Sequence, residues 1–351
     1  MNNRKLLKYH SYFGLISGIF LIILGISGAI LIFSENIDSQ LFKEYSVKPG
    51  IEVLDLDKAV ESVQKEYPDW ETRIVHFKKG ETILFNLRRL ESRKYLFVHP
   101  ETGAIIADIN AETQFTMWLV RFHYSMHAGI FGNVLMLIMG IIFFLSLLTG
   151  IIVYRKIILK TLFFQVKLKT KNRRGFYSVL HRYVGVWALL FNLVLVITGV
   201  VLSYGVVQAG FKTAEVPKPP VITISINKSL ALIKQRYPDF TPSYLRLPKQ
   251  DHAAITVNGV FKGDPFYFRE FNNKIELNPE SGTITAVTKI TEASWETKVN
   301  ALVSPLHFGQ YGGFPIKIFY CLVGLSGPFL SITGFLIWKK RKHRNKPSLK
   351  I

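Results

Sequence analysis

Residues 10–28 read HSYFGLISGIFLIILGISG, and residues 181–199 read HRYVGVWALLFNLVLVITG. The two stretches align without a gap: His10, Tyr12, Gly14 and Gly28 match His181, Tyr183, Gly185 and Gly199, and Ser27 matches Thr198. A long apolar run that opens twice on the same histidine is both a candidate membrane span and the mark of an internal repeat. A second pair of runs repeats in the same way. There His123, Gly129, Thr149 and Gly150 match His307, Gly313, Thr333 and Gly334. Four spans are therefore predicted, at Tyr12–Phe33, Val134–Tyr154, Val184–Tyr204 and Ile316–Trp338. Each has the roughly 20 residues a bilayer requires. The first is too long and too rich in Ile and Leu for a signal-peptide core, and no clear small-residue cleavage site follows it.

The 351 residues carry a formal net charge of +20 with only 19% charged residues. Such an excess points to nucleic acid or to an acidic membrane surface, and its placement decides between them. Arg4, Lys5 and Lys8 precede the first span. Arg155, Lys156, Lys160, Lys167, Lys169, Lys171, Arg173, Arg174 and Arg182 lie between the second and third. Lys339, Lys340, Arg341, Lys342, Arg344, Lys346 and Lys350 follow the fourth. These segments hold no acid, and the rest of the chain is nearly neutral. Four spans put all three segments on one side, which the positive-inside rule makes the cytoplasm. No nucleic-acid motif accompanies the charge, so no nucleic-acid partner is expected. The single cysteine, Cys321, excludes an intrachain disulfide framework and any Cys-based zinc or iron–sulfur site.

The expected order is a basic N-terminus with the first helix (1–34), an outer segment (35–126), the second helix (127–155) and a basic inner loop (156–181). The third helix (182–205), a second outer segment (206–312), the fourth helix (313–338) and a basic tail (339–351) complete it. The outer segments repeat as well. Tyr67-Pro68-Asp69 matches Tyr237-Pro238-Asp239, and His99-Pro100-Glu101-Thr102-Gly103 matches Asn278-Pro279-Glu280-Ser281-Gly282. Each reads as an amphipathic helix, then strands with a Pro-x-x-Gly hairpin. Strands are predicted at Thr82–Asn86, Lys94–Val98, Ala253–Val257 and Pro265–Phe271. The fold class is thus an α-helical polytopic membrane protein with four transmembrane helices and two α+β extracytoplasmic domains. It is a tandem duplication whose halves are parallel repeats about an axis along the membrane normal.

That symmetry gives the histidines a role. His10 and His181 open the first and third spans on the inner side; His123 and His307 precede the second and fourth on the outer side. Two imidazoles facing each other across an axis can ligate one planar metallocofactor, as a haem iron requires. Gly14 and Gly185 follow their histidines by four residues. Gly28 and Gly199 follow by eighteen, which is five turns and about 27 Å of rise, back on the histidine face. They either let a flat macrocycle approach the backbone or simply pack helices. His127, one turn past His123, is an alternative outer ligand, and Arg121 is a candidate partner for a propionate. All four repeated histidines also sit at span ends, where interfacial imidazoles need no ligand. His76, His99, His252 and His343 lack ligand spacing to one another.

These same residues resemble the PepSY-associated transmembrane family of bacterial inner-membrane proteins, which includes iron-regulated membrane proteins and ferric-siderophore reductases. The resemblance rests on His10-x-Tyr12-x-Gly14 before Leu24-Gly25-Ile26-Ser27-Gly28 and on its copy from His181 to Gly199. It rests also on the Pro100-x-x-Gly103 and Pro279-x-x-Gly282 hairpins, and on Leu148-Thr149-Gly150 and Ile332-Thr333-Gly334. It implies four membrane helices, two periplasmic PepSY-like domains and b-type haem held by membrane histidines, and the duplicated histidine pairs make two haems the expectation. Reductase members pass electrons outward to ferric-siderophore complexes. The expected partners are then the lipid bilayer, a periplasmic ferric chelate or siderophore, and a separate electron donor, either quinol or a cytoplasmic reductase. No dinucleotide fingerprint occurs in the short inner loop. Trp70, Phe266, Tyr267 and Trp295 are aromatics that could contact a chelate, with core and interface packing the plainer reading. PepSY modules also occur in inhibitory propeptides and sensory membrane proteins, so a non-enzymatic binding or regulatory protein without haem is the alternative. A transporter is a third, against which stands the near absence of ionisable residues in the spans.

Overall fold

A computed structural model describes residues 3–47, 53–90, 92–168, 172–213 and 215–344. Lys169, Lys171, Lys346 and Lys350 of the basic segments lie outside them. In chain order the elements begin with α1 (Asn3–Leu31), α2 (Ser34–Leu41), α3 (Leu56–Glu66), β1 (Glu71–His76), β2 (Ile83–Arg89), β3 (Ser92–Val98) and β4 (Ile105–Asn110). Then come α4 (Phe115–Ser125), α5 (Gly129–Tyr154), α6 (Ile158–Leu162), α7 (Arg173–Trp187), α8 (Leu189–Gly210) and α9 (Ile226–Arg236). The chain closes with β5 (Phe240–Arg246), β6 (Ile255–Phe261), β7 (Asn273–Leu277), β8 (Ile284–Thr288), α10 (Trp295–Phe308) and α11 (Gly313–Arg344). It divides into two compact units. One comprises residues 1–34, 119–212 and 306–351, the other residues 35–118 and 213–305.

The first unit is a helix bundle. Four helices are long and apolar enough to cross a membrane: Asn3–Leu31, Gly129–Tyr154, Leu189–Gly210 and Gly313–Lys340. The shortest has 22 residues, about 33 Å of helix against a hydrocarbon core of about 30 Å. Each repeat-equivalent helix has the same neighbours. α1 packs between α5 and α11, while α8 packs on α5 and α7 on α11. The tightest crossing is α1 on α11, where a Cβ on Gly25 would lie 2.4 Å from Pro328 and 2.6 Å from the Gly324 carbonyl.

The third span differs from its prediction. It is interrupted, with α7 and α8 separated by the single residue Ala188 at φ −87° and ψ −1°. The backbone bonds from Ala188 N to Val184 and from Asn192 N to Ala188 persist, and a side chain shares the Ala188 carbonyl. Asn192 Nδ2 donates to the Ala188 carbonyl at 3.0 Å and to Ser326 Oγ on α11 at 2.8 Å. Breaks precede the second and fourth spans. Met126 and His127 take left-handed φ of 50° and 57° between α4 and α5, and Gly309 and Gly312 take 62° and 75° between α10 and α11.

In the second unit the two outer segments build one eight-stranded antiparallel sheet, in the order β4-β3-β2-β1-β5-β6-β7-β8. Each segment supplies a four-stranded meander, and the two join where Arg73 pairs with Arg246 and Ile74 with Leu245. One core serves both, formed by Leu56, Val60 and Val63 of α3, Ile226 and Ile233 of α9, and Phe85, Leu87, Leu245 and Val257 of the sheet. In α3 the buried Leu56, Ala59, Val60 and Val63 follow the i, i+3, i+4, i+7 pattern of an amphipathic helix. Asp55 and Ser225 cap the two helices by accepting from the Lys58 and Lys228 amides. The hairpin glycines Gly103 and Gly282 have φ of 71° and 70°, a region open to glycine without a steric penalty. The stretch Pro265–Phe271 is not the strand expected of it: Phe268 N donates to the Pro265 carbonyl, and the strand begins only at Asn273. Asp264 explains this by accepting from Phe261 N at 2.7 Å and from Asn273 Nδ2 at 2.8 Å. That closes a loop where an apolar run suggested extension. Strands β1, β4, β5, β7 and β8 were not anticipated.

Candidate functional site

The bundle brings the repeated histidines together as two facing pairs. His10 and His181 stand with ring centroids 6.2 Å apart and planes at 77°. His123 and His307 stand 6.4 Å apart at 62°. The pairs lie at opposite ends of the bundle. His10 neighbours Ser146 near the C-terminal end of α5, and His123 neighbours Ser27 near the C-terminal end of α1. His10 and Ser27 share α1, so the two levels are about 26 Å apart at 1.5 Å per residue.

Hydrogen bonding assigns the tautomer. His10 Nδ1 donates to the Ser146 carbonyl at 3.0 Å, and His307 Nδ1 to the Leu195 carbonyl at 3.2 Å and Thr198 Oγ1 at 3.1 Å. His123 Nδ1 lies 2.8 Å from Ser27 Oγ, and His181 Nδ1 2.9 Å from Thr333 Oγ1. Those two hydroxyls spend their own protons on the Ile23 and Phe329 carbonyls of the preceding turn, so each is left to accept. In all four rings Nδ1 therefore carries the proton, and Nε2 carries the lone pair when the ring is neutral. No Nε2 of the four makes a hydrogen bond among the described residues.

Each ring also rests on a glycine. A Cβ on Gly199 would meet His307 Cε1 at 3.0 Å, and one on Gly28 would meet His123 Cε1 at 3.2 Å. One on Gly150 would meet His10 Cε1 at 3.2 Å, and one on Gly334 would meet His181 Cε1 at 3.4 Å. The motif is a Ser/Thr-Gly step on a neighbouring helix that seats an imidazole. Gly28 and Gly199 thus stand at the level of the outer histidines, as their spacing requires, but what they clear is the imidazole edge. Gly14 and Gly185 face helix neighbours instead, Ser146 and Leu330, which is the packing reading. Gly150 and Gly334 carry the seating role on the inner side and were not assigned it from sequence. Their repetition after a threonine in both halves was the available signal. Ser146 and the Asn192–Ser326 bond carry no repeat signal, because Leu21 and Ile142 occupy the equivalents of Asn192 and Ser326.

Between the two outer candidates the geometry distinguishes clearly. His123 faces His307, whereas His127 is exposed on the turn after α4 with its ring 6.1 Å from Phe122. Arg121 is half-buried on α4, its carbonyl accepting from Ser125 Oγ. His76 bonds Glu81, His99 Nδ1 accepts from the Glu101 and Thr102 amides, and His252 lies 3.5 Å from Glu280. All three are local contacts. Trp70 packs beside Tyr67, and Tyr267 sits between Phe266 and Phe268. Phe266 and Trp295 are 72% and 80% exposed, so neither belongs to the core.

Two imidazoles on one metal, with metal–nitrogen bonds of about 2.0–2.1 Å and ring centres about 1.2 Å further out, would place their centroids about 6.4 Å apart. Two imidazoles sharing a hydrogen bond would stand near 5.2 Å, from a donor–acceptor distance of about 2.9 Å. The observed 6.2 and 6.4 Å are longer than the second arrangement and compatible in distance with the first, and they also lie within the about 4.5–7 Å of ordinary edge-to-face ring contacts. Among the described residues no group of three or more His, Cys, Asp or Glu could hold a metal ion. A bare ion therefore lacks a donor set, whereas a macrocycle brings four nitrogens and needs only two from the protein.

No curated protein matches the chain. The family model described as the PepSY-associated TM region matches residues 7–341. This is a polytopic membrane protein with four long apolar helices and a β-sheet outer part, and it belongs to the PepSY-associated transmembrane family.

Proposed function

We propose that the chain is a transmembrane electron carrier that binds b-type haem at its two histidine pairs and delivers electrons to an extracytoplasmic Fe(III) complex. The single observation that supports this reading is the repeated donor geometry: two pairs of imidazoles, each with Nδ1 tied to a neighbouring helix, at 6.2 and 6.4 Å. His10 and His181 would hold one haem, and His123 and His307 the other. A haem held by such an imidazole pair would supply one-electron chemistry. The protein's part is to orient the rings. The Ser146 and Leu195 carbonyls and the Ser27 and Thr333 hydroxyls fix each tautomer, as outer-shell partners do for metal-binding histidines. The Ser/Thr-Gly steps let the rings sit against their neighbouring helices, and the apolar bundle excludes water from the rings. The electron donor is a separate protein or a quinol.

A second reading is a non-enzymatic binding or regulatory membrane protein. The family match and the membrane helices require nothing more, and the lack of a three-ligand metal cluster among the described residues favours it. Purification from haem-replete cells followed by a reduced-minus-oxidised spectrum and a haem assay separates the two. The relay expects two haems per chain, with His10→Ala and His307→Ala each removing about one and His127→Ala removing none. A haem-free wild-type protein would refute the relay and leave the second reading standing.

A further inference from the structure

The sheet of the second unit has a core face and a polar face. Strand alternation puts Glu71 and Arg73 of β1, Asn86 and Arg88 of β2, Arg93 of β3, and Tyr244 and Arg246 of β5 on the polar face. The register sets two arginine pairs directly opposite each other, Arg73 with Arg246 and Arg88 with Arg93. Like charges opposite one another across strands are destabilising.

The first pair is neutralised from within. Glu71 Oε1, nearly buried, accepts from Arg73 at 2.7 and 2.9 Å and lies 2.8 Å from Arg246. The second pair has no acid of its own among the described residues: Arg88 stands opposite Glu71 in the register, but the Glu71 carboxylate bonds Arg73 and Arg246 instead. Arg88 Nε bonds Asn86 Oδ1 at 3.3 Å, and its terminal nitrogens have no partner among the described residues. Among the described residues Arg93 reaches only the Met117 sulfur at 3.8 Å, a weak acceptor. Asp38 accepts from Thr116 at 2.6 Å and pairs with neither arginine among the described residues.

The surroundings add to the imbalance. A cleft of about 600 Å³ is lined by Arg73, Arg88, Arg93, Lys218 and Lys249, with Glu71 and Glu215 as its acids. That volume suits a small molecule. Burial, then Arg73 and Arg93, push the Arg88 guanidinium down to about 10, with Tyr244 and Glu71 as smaller opposing influences.

We propose that Arg88 and Arg93 form a binding site for a compact polyanion with carboxylate or phosphate groups. Guanidinium forks on paired strands, about 5 Å apart at Cβ, can each take one acid group bidentately. The site stands in the second unit and does not depend on the histidine pairs.

The test is calorimetric titration of the full chain in detergent with citrate and, separately, with inorganic phosphate, against sodium chloride at matched ionic strength. Wild-type protein is expected to bind at least one of the two in the millimolar range or tighter, and to melt at a higher temperature with it. Citrate alone would identify a polycarboxylate site, and equal binding of both a general oxyanion site; either supports the proposal. Arg88→Gln and Arg93→Gln should each weaken binding at least tenfold. Arg88→Lys keeps the charge but loses the fork, and should fall between. His307→Ala should bind as wild type does. Wild-type protein that neither binds nor is stabilised by either anion beyond chloride overturns the site, as does Arg88→Gln binding unchanged.

Discussion

Replacing Gly199 by alanine should destabilise the bundle, while the same change at Gly334 should not. Both are helical glycines in Thr-Gly steps that seat a histidine, and in water-exposed helices Gly→Ala contributes about 1 kcal/mol of stability. What differs is the room. An alanine Cβ at Gly199 would lie 3.0 Å from His307 Cε1, and at Gly334 it would lie 3.4 Å from His181 Cε1. Carbon atoms in contact stand about 3.5–4.0 Å apart, so the first overlaps by about half an ångström and the second barely at all. Moving the His307 ring away also strains its 3.1 and 3.2 Å bonds to Thr198 and Leu195. Overpacking of this kind costs about 1–3 kcal/mol. The expected balance is a net loss of about 1 kcal/mol for Gly199→Ala and a gain of up to about 1 kcal/mol for Gly334→Ala. Denaturant unfolding of the purified proteins in one detergent measures both. A double-mutant cycle sharpens the test: with His307→Ala the obstruction is gone, and Gly199→Ala should become stabilising. If Gly199→Ala is as stable as Gly334→Ala, or if its effect does not change sign without the histidine, the seating argument is wrong.

Three further outcomes are expected. Thr333→Val removes the acceptor for His181 Nδ1 at 2.9 Å and should cost about 1 kcal/mol, read by the same unfolding assay. Asn192→Ala removes the bond to Ser326, whose hydroxyl still donates to the Val323 carbonyl at 2.6 Å. It should cost about 0.6 kcal/mol, the average of a membrane hydrogen bond, and the cost should vanish when Ser326 is already alanine. Glu71 titrates in a defined direction. Burial pushes its carboxyl up, but Arg73, Arg246 and Arg88 outweigh it and hold it below the ordinary value of 4.5. A depressed carboxyl stabilises the fold above the unfolded value and loses that contribution as pH falls through the folded one. Thermal melts between pH 5 and pH 3, a range set about that value, should therefore show a decline that Glu71→Gln lacks. At neutral pH Glu71→Gln should itself cost about 1–2 kcal/mol by leaving the partly exposed Arg73 and Arg246 without their acid.

The bundle was legible because its rules are local. Length and hydropathy locate spans, and an unbroken offset from His10–Gly28 to His181–Gly199 forces equivalent depth. What the offset could not show is which atom a glycine clears, because that depends on the neighbouring helix. Gly28 meets the ring of His123, ninety-five residues away. The break at Ala188 escaped for the same reason: the side-chain bond beside it reaches Ser326 on another helix, and no proline announces it. In the outer part, hairpins were readable from Pro-x-x-Gly, whereas the joining of the two meanders was not. Nothing in β1 or β5 alone says that each will find the other. The Pro265–Phe271 run misled because its aromatics suggest a strand while Asp264 ties the chain into a loop.

The β1–β5 seam has a consequence for how the chain is assembled and divided. These are equivalent strands of the two halves, joined antiparallel. Two identical half-chains would meet in that way about a two-fold axis, through the same patch on each. The histidine pairs have the same character, one ring from each half. Severing the chain in the inner loop between α6 and α7 would leave every one of these junctions between fragments instead of within them. Co-expressed as separate polypeptides, the two halves should therefore find each other and purify as a stoichiometric complex, with the sheet as their handle.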